Sequence, residues 1–325
     1  VKLPQFHIQI SGTTLHTYTT KNVLSPHPLG ELAGHVTLDG SFSLHSGHFK
    51  ENFHDHAGAM VEAKTKFINP AKLKTFKTNE HLRILDVCVG LGYNTACAME
   101  EVEKLSLKLN WWGLELDPRP IKLALDINAF RSSWSPEVLK SLEKIRDHGF
   151  WENSISKGQI LWGDARQCIS RLPKDINFHL IMLDPFSPKH CPELWTKEFL
   201  RSISKKLAPD GRLVTYCTAA AVRNTLQEEG LELLSLSSPS NNKKRWSNGT
   251  IATRYKKNNL LLQTNQKLHR LTHMEREHLL TRAAIPYRDP SGIDTATRIL
   301  QRRKQEQESC ELESTSSWQR RWLKK

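Results

Sequence analysis

A chain of 325 residues and 37.3 kDa, 38% apolar and 25% charged, has the balance of a soluble globular protein with one large domain or two small ones. Mean hydropathy of −0.52, with no apolar run near the roughly 18 residues a membrane span needs, argues against a membrane protein. Six cysteines, at 88, 97, 168, 191, 217 and 310, include no Cys-x-x-Cys pair, which excludes zinc ribbons and thioredoxin-type redox sites and suits a reducing cytoplasm.

The first residues, VKLPQFHIQI, carry neither the basic start nor the apolar stretch of a secretory leader, so a cytoplasmic protein is expected. Residues 1–80 read as an N-terminal extension of β and helical pieces. Asp39-Gly40 is a favoured hairpin pair, so 37–44 should run strand–turn–strand. The weak apolar rhythm of Phe53, Ala57, Met60 and Phe67 predicts a helix over 49–67. HFKENFHDHAG gathers His48, His54 and His56 with Glu51 and Asp55. His54 and His56 are two apart and leave a helix in different directions, so no metal is expected there.

From Arg83 onward, short continuous apolar runs alternate with helical stretches: RILDVCVG, WWGLELD, QILWGDA, HLIMLDPF and RLVTYCT. That alternation implies a parallel sheet covered on both faces. Two further β-like pieces, LELLSL and TIATRY, flank a basic loop and complete a seven-stranded doubly wound α/β sheet of Rossmann-like type, with the core at 81–257. Residues 258–325 read as a basic helical tail: one helix over 266–282, a second capped by Asp294 and running to about Lys304, and a polar, poorly ordered end. The formal charge of +13 is uneven. From Asn241 on there are 19 Lys and Arg against 8 Asp and Glu, a net +11 that leaves +2 for the first 240 residues. Polyanions, nucleic acid first, are the natural partners of such a segment.

Three acids stand at successive strand ends. Asp86 closes the first strand before the turn made by Gly90 and Gly92, Glu115 closes the second, and Asp164 follows the third. Glycines let backbone approach a ligand closely; a carboxylate at the second strand end can take both ribose hydroxyls, and one at the third can take an adenine amino group. All lie along the sheet edge where open α/β sheets bind ligands, which points to a nucleoside cofactor. The turn lacks the full Gly-x-Gly-x-x-Gly spacing, and the two-strand ending favours S-adenosylmethionine over NAD. Asp184, in LDPFSPKHCPELW, closes the fourth strand, where cofactor and substrate would meet; Phe186 and Trp195 are candidate walls. Lys243, Lys244 and Arg245 precede Trp246, a basic–aromatic pattern suited to RNA.

With these residues assembled, the chain resembles the methyltransferase domain of the MnmC family over roughly Asp39 to Tyr255. The resemblance is carried by DGSFSLHSGHFKENFHDHAGAMVEAKTKF and by LDPFSPKHCPELWTKEFLRSISKKLAPDGRLVTYCTAAAVRNTLQEEG. Cys88 and Pro185 stand where that family usually carries glycine, and its basic segment before the last strand is matched only loosely by NNKKRWSNG. The FAD-dependent oxidase half of the bifunctional members is not part of the resemblance. The resemblance implies N-methylation, with S-adenosylmethionine as cofactor, of the aminomethyl group of a tRNA wobble uridine, with Asp184 beside the amine. Two other readings fit the same strand ends: an aminopropyltransferase of the spermidine-synthase type, and a non-catalytic RNA-binding module.

Overall fold

The computed structural model describes residues 27–76, 81–236, 247–254 and 268–323. Three short strands, β1 (Leu32–Val36), β2 (Phe42–Ser46) and β3 (Glu51–Asn52), form an antiparallel sheet of their own. The main sheet holds β4 (His81–Val87), β5 (Lys108–Glu115), β6 (Phe150–Glu152), β7 (Lys157–Trp162), β8 (Phe178–Leu183), β9 (Leu207–Thr215), β10 (Glu232–Leu236), β11 (Gly249–Thr253) and β12 (Leu268–Arg270). Its order is β12-β10-β11-β9-β8-β4-β5-β7-β6.

The five apolar runs become the parallel strands β9, β8, β4, β5 and β7, and β10 and β11 add the antiparallel ending. All seven expected strands are therefore present. Two short edge strands, β6 against β7 and β12 against β10, extend the sheet to nine. β8 is buried at every position, as a strand covered on both faces must be. Chain order reverses at β4, whose neighbours are β5 and β8, so the ligand-binding crevice of this topology lies above the carboxyl ends of β4 and β8.

One face of the sheet is packed by Tyr93–Lys104, Pro136–His148 and the N-terminal extension; the other by Lys197–Lys205, Ala220–Glu228 and Ala296–Ser309. In the extension the turn at Asp39-Gly40 forms as expected, joining β1 to β2 with Gly40 at φ 82°. The helix expected over 49–67 is shorter. β3 and a loop take its first part, and helical structure begins only at Ala59, where the Asp39 carboxylate accepts from the Val61 N–H at 3.1 Å.

The C-terminal segment departs most from expectation. β12 and the helix His273–His278 replace the single helix over 266–282, because a Thr272/Glu275 capping box starts the helix late. The next helix is capped by Thr295 rather than Asp294 and runs Ala296–Ser309. The expected poor order of the last residues is overturned by a helix at Thr315–Leu323. Trp318 is 1% exposed and stacks on His278 at 4.6 Å, while Arg321 pairs with Glu277 and Glu313 at 2.7 and 2.9 Å. A few anchors order a segment whose average composition is polar. The segment also reaches the core: Glu275 meets the guanidinium of Arg223, both buried, at 2.9 Å. Among the described residues no helix is long and apolar enough to cross a membrane.

Candidate active site

A cavity of about 550 Å³ opens above the carboxyl ends of β4, β5, β7 and β8. That is ample for a nucleoside-sized ligand. Gly90, Glu115, Asp164, Asp184 and Phe186 line it, so most of the sequence candidates converge. Asp86, Gly92 and Trp195 do not line it. Asp86 lies beneath the turn, fully buried, and accepts from the Thr95 hydroxyl at 2.6 Å. Gly92, at φ 93°, starts the helix Tyr93–Lys104. Trp195, fully buried, donates its indole N–H to the Phe186 carbonyl at 2.8 Å and so props the wall from behind. Lys243, Lys244 and Arg245 lie outside the described residues.

The turn after β4 is set by its backbone. Cys88 has φ 69°, the left-handed region where side chains are rarely found, and its N–H is held by the Leu114 carbonyl at 2.9 Å. A glycine preference at this position thus has a conformational cause. Gly90, at φ 56°, donates its N–H to Glu115 Oε2 at 2.9 Å, and the Asp117 N–H reaches Oε1 at 2.8 Å. A carboxylate has about four acceptor sites, so Glu115 retains capacity for two further donors such as ribose hydroxyls. Burial pushes its pKa up, and these backbone bonds oppose the rise.

Asp164 caps the helix Ala165–Cys168 and is gripped by Arg166, whose Nη2 lies 2.7 Å from Oδ2. Asp184 accepts from Asn94 Nδ2 at 2.7 Å. Burial and then the negative charge of Glu62 push its carboxyl well above the ordinary range, against the pull of Asn94. The carboxyl is thus held toward its neutral form, with the nearby Lys66 ammonium opposing the rise only weakly. Around it, Glu62 Oε1 and Asp55 Oδ2 hold the Lys66 ammonium at 2.6 and 2.7 Å.

The N-terminal extension builds the opposite wall. Phe49 stacks on Phe186 at 4.6 Å and Phe53 meets it edge-on at 4.9 Å. Glu51 accepts from both the backbone N–H and the hydroxyl of Ser187, at 3.0 and 2.8 Å. The Tyr216 hydroxyl donates to the Pro185 carbonyl at 2.8 Å, fixing the same loop from β9. Asn94, Glu62, Lys66, Phe49 and Phe53 had no local signature. Of the histidines, His48, His54 and His56 all line the cavity. His54 shares a 2.9 Å hydrogen bond with Ser43, and burial pushes its pKa down to about 3. Among the described residues no three or more His, Cys, Asp and Glu gather as a metal site. Eight carboxylates face the cavity against one lysine and one arginine, so the ligands that complement it are cationic, as a sulfonium is.

A family model described as S-adenosyl-L-methionine-dependent methyltransferase matches residues 127–252. The crystal structure of MnmC2 from Aquifex aeolicus is similar with a TM-score of 0.70 and 26% identity, covering 86% of each chain. An uncharacterised protein of Methanocaldococcus jannaschii is 27% identical over 84% of this chain and 71% of its own. The bifunctional tRNA 5-methylaminomethyl-2-thiouridine biosynthesis protein MnmC of Aromatoleum aromaticum is 26% identical over 58% of this chain and 31% of its own. That of Stutzerimonas stutzeri is 23% identical over 65% and 34%. The chain thus spans about a third of these bifunctional relatives. The aminopropyltransferase and non-catalytic readings give way to the family match. Sheet order, cavity and relatives agree on an S-adenosyl-L-methionine-dependent methyltransferase related to the MnmC methyltransferase domain.

Proposed function

We propose that the enzyme methylates the primary amine of a 5-aminomethyl group on a tRNA wobble uridine, working in the cytoplasm. The observation that carries this reading is a buried acid, Asp184, set in an acid-rich cavity whose far wall is aromatic. Bound there, S-adenosylmethionine would supply an electrophilic methyl group, with S-adenosylhomocysteine, a neutral thioether, as the leaving group. Glu115 and the Gly90 turn are assigned to its ribose, Asp164 to its adenine, and Phe49, Phe53 and Phe186 to the uracil face.

A primary alkyl amine has a pKa near that of lysine, about 10.4, and attacks only when neutral. Asp184 orients the amine through a hydrogen bond and takes its proton as the nitrogen lone pair commits to the methyl carbon. Burial favours this step, because a raised carboxyl pKa narrows the gap between proton donor and acceptor. Asn94 keeps one Asp184 oxygen in place, leaving the other for the amine. Holding nitrogen and methyl in attacking geometry supplies much of the remaining acceleration. RNA contact is assigned to Lys243, Lys244 and Arg245 and to exposed cations of the C-terminal segment.

The test is methyl transfer from labelled S-adenosylmethionine to bulk tRNA carrying unmethylated aminomethyl uridine, with putrescine as a competing acceptor. Label in a methylaminomethyl uridine nucleoside is the expected result. Label in putrescine alone, or in another nucleoside, overturns the proposal.

A further inference from the structure

Arg166 is the hinge of a charged relay that leaves the cavity. On its inner side it grips the Asp164 carboxylate through Nε and Nη2. On its outer side Nη1 donates to Asp289 Oδ2 at 2.6 Å and to the Asp294 carbonyl at 2.8 Å. Asp289 is 1% exposed, and its other oxygen collects the Ser291 hydroxyl and the Gly292 and Asp294 N–H groups at 2.9, 2.9 and 3.2 Å. These bonds and Arg166 hold it below the ordinary carboxylate range despite its burial. The loop is pinned to the core twice more: Glu198 Oε2 accepts from the Asp289 N–H at 2.7 Å, and Gln167 donates to the Gly292 carbonyl at 2.9 Å.

We infer that Asp289 is a positioning residue for cofactor recognition: through Arg166 it fixes the orientation of Asp164, and so sets the enzyme's preference for adenine. The inference rests on the assignment of Asp164 to the adenine amino group. Arg166 has a planar fork that cannot turn freely while both ends are engaged. With Asp289 in place, the fork draws on Asp164 from one side only, and the carboxylate lone pairs away from Arg166 keep a fixed direction into the cavity. Without it, Nη1 keeps only the neutral Asp294 carbonyl, and Arg166 with Asp164 attached is held less firmly. The elements joined are far apart in sequence, since Asp289 lies beyond the matched residues 127–252.

The experiment compares binding of S-adenosylhomocysteine and S-inosylhomocysteine by calorimetry. In the second ligand the adenine amino donor is replaced by a carbonyl, so the ratio of the two affinities reads the Asp164 contact and not overall stability. The full chain should prefer the adenine ligand by about 10- to 150-fold, the worth of a charge-assisted hydrogen bond. Asp289→Asn should lower that ratio at least about threefold, and should have no further effect on it in an Asp164→Asn background, as expected for residues acting in one network. Ser291→Ala, which removes one bond to Asp289 from a partly exposed loop, should lower it in the same direction by less, and decides the matter if Asp289→Asn does not fold. An unchanged ratio in Asp289→Asn, or in Ser291→Ala where that variant decides, overturns the relay and leaves Asp289 as an anchor for the loop. A ratio unchanged in Asp164→Asn overturns the adenine assignment itself, and the relay with it.

Discussion

Asn94 Nδ2 and Asp184 Oδ2 meet at 2.7 Å, joining the helix after the glycine turn to the end of the fourth parallel strand. The two residues are 90 positions apart, and the bond fixes one oxygen of the acid at the topological switch point. Asp184→Asn preserves size and hydrogen bonding but is a far poorer proton acceptor. Single-turnover methyl transfer is expected to fall about 10²- to 10⁴-fold, with S-adenosylmethionine affinity within a few-fold of wild type. Asn94→Ala should reduce the rate less, about tenfold, by freeing the carboxylate to rotate. Near wild-type turnover by Asp184→Asn at neutral pH removes it from the reaction.

Glu115 is expected to carry much of the cofactor affinity. Replacing it with alanine removes a charged acceptor worth about 1.5–3 kcal/mol, so binding should weaken about 10- to 150-fold by calorimetry. The Gly90 and Asp117 N–H groups also lose their acceptor, which places the effect toward the upper end. Unchanged affinity excludes Glu115 from the site.

Asp86 predicts a pH dependence of stability. Burial, with the Glu115 charge adding to it, raises its pKa to about 7, against the Thr95 hydrogen bond. The folded state therefore binds the proton more tightly than the unfolded chain, whose aspartates titrate near 3.9. Its contribution is greatest below about pH 4 and is lost as pH rises to about 7, by at most about 4 kcal/mol. Asp86→Asn cannot titrate, so the stability difference between variant and wild type should shift in favour of the variant across that interval. Denaturant melts of both proteins from pH 4 to 8 measure it, and a constant difference refutes it.

Cys88 should accept glycine but not a β-branched residue. At φ 69°, Cys88→Val is expected to cost about 1–3 kcal/mol, while Cys88→Gly melts near wild type and keeps its cofactor affinity. Equal melting of the valine variant would show that the turn relaxes freely.

A truncation after residue 258 is not a clean probe of RNA binding, because it strips Glu275 from the buried Arg223. Breaking such a pair costs about 3–5 kcal/mol, and Glu275→Ala alone should reproduce most of the loss. The exposed cations Arg298 and Lys304, whose side chains are 71% and 77% exposed, serve better. If they meet phosphates, replacing both with alanine should flatten the log–log salt dependence of tRNA binding by about 1–2. An identical slope clears them.

The seven principal strands were legible because β4, β5, β8 and β9 are largely buried, β7 is partly buried beside them, and all five read as apolar runs, with β10 and β11 following as a polar-flanked pair. β6 and β12, of three residues each, are too short to give a pattern. The Thr272/Glu275 capping box was in the sequence and places the helix start correctly, where a single helix over 266–282 was expected. Strand ends pointed to Glu115, Asp164 and Asp184, and all three line the cavity. The same rule assigned Asp86 to the cofactor, whereas it stands one residue short of the end of β4, level with Gly113 and two residues below Glu115, and its side chain serves Thr95. Phe49, Glu62 and Asn94 come to the cavity through long-range packing, which no local spacing encodes.

The two arginines that reach into the C-terminal segment bear on how this protein can be recombined. Arg166 and Arg223 lie within the matched region ending at residue 252, but their partners Asp289 and Glu275 lie outside it. A chimera joined at that border to a relative's C-terminus would leave the buried Arg223 without Glu275, and Arg166 with Asp164 but without Asp289, unless the donor supplies both acids. Arg166 with Asp289, and Arg223 with Glu275, therefore travel as matched sets, and crossover points that separate either set should yield insoluble or cofactor-blind progeny.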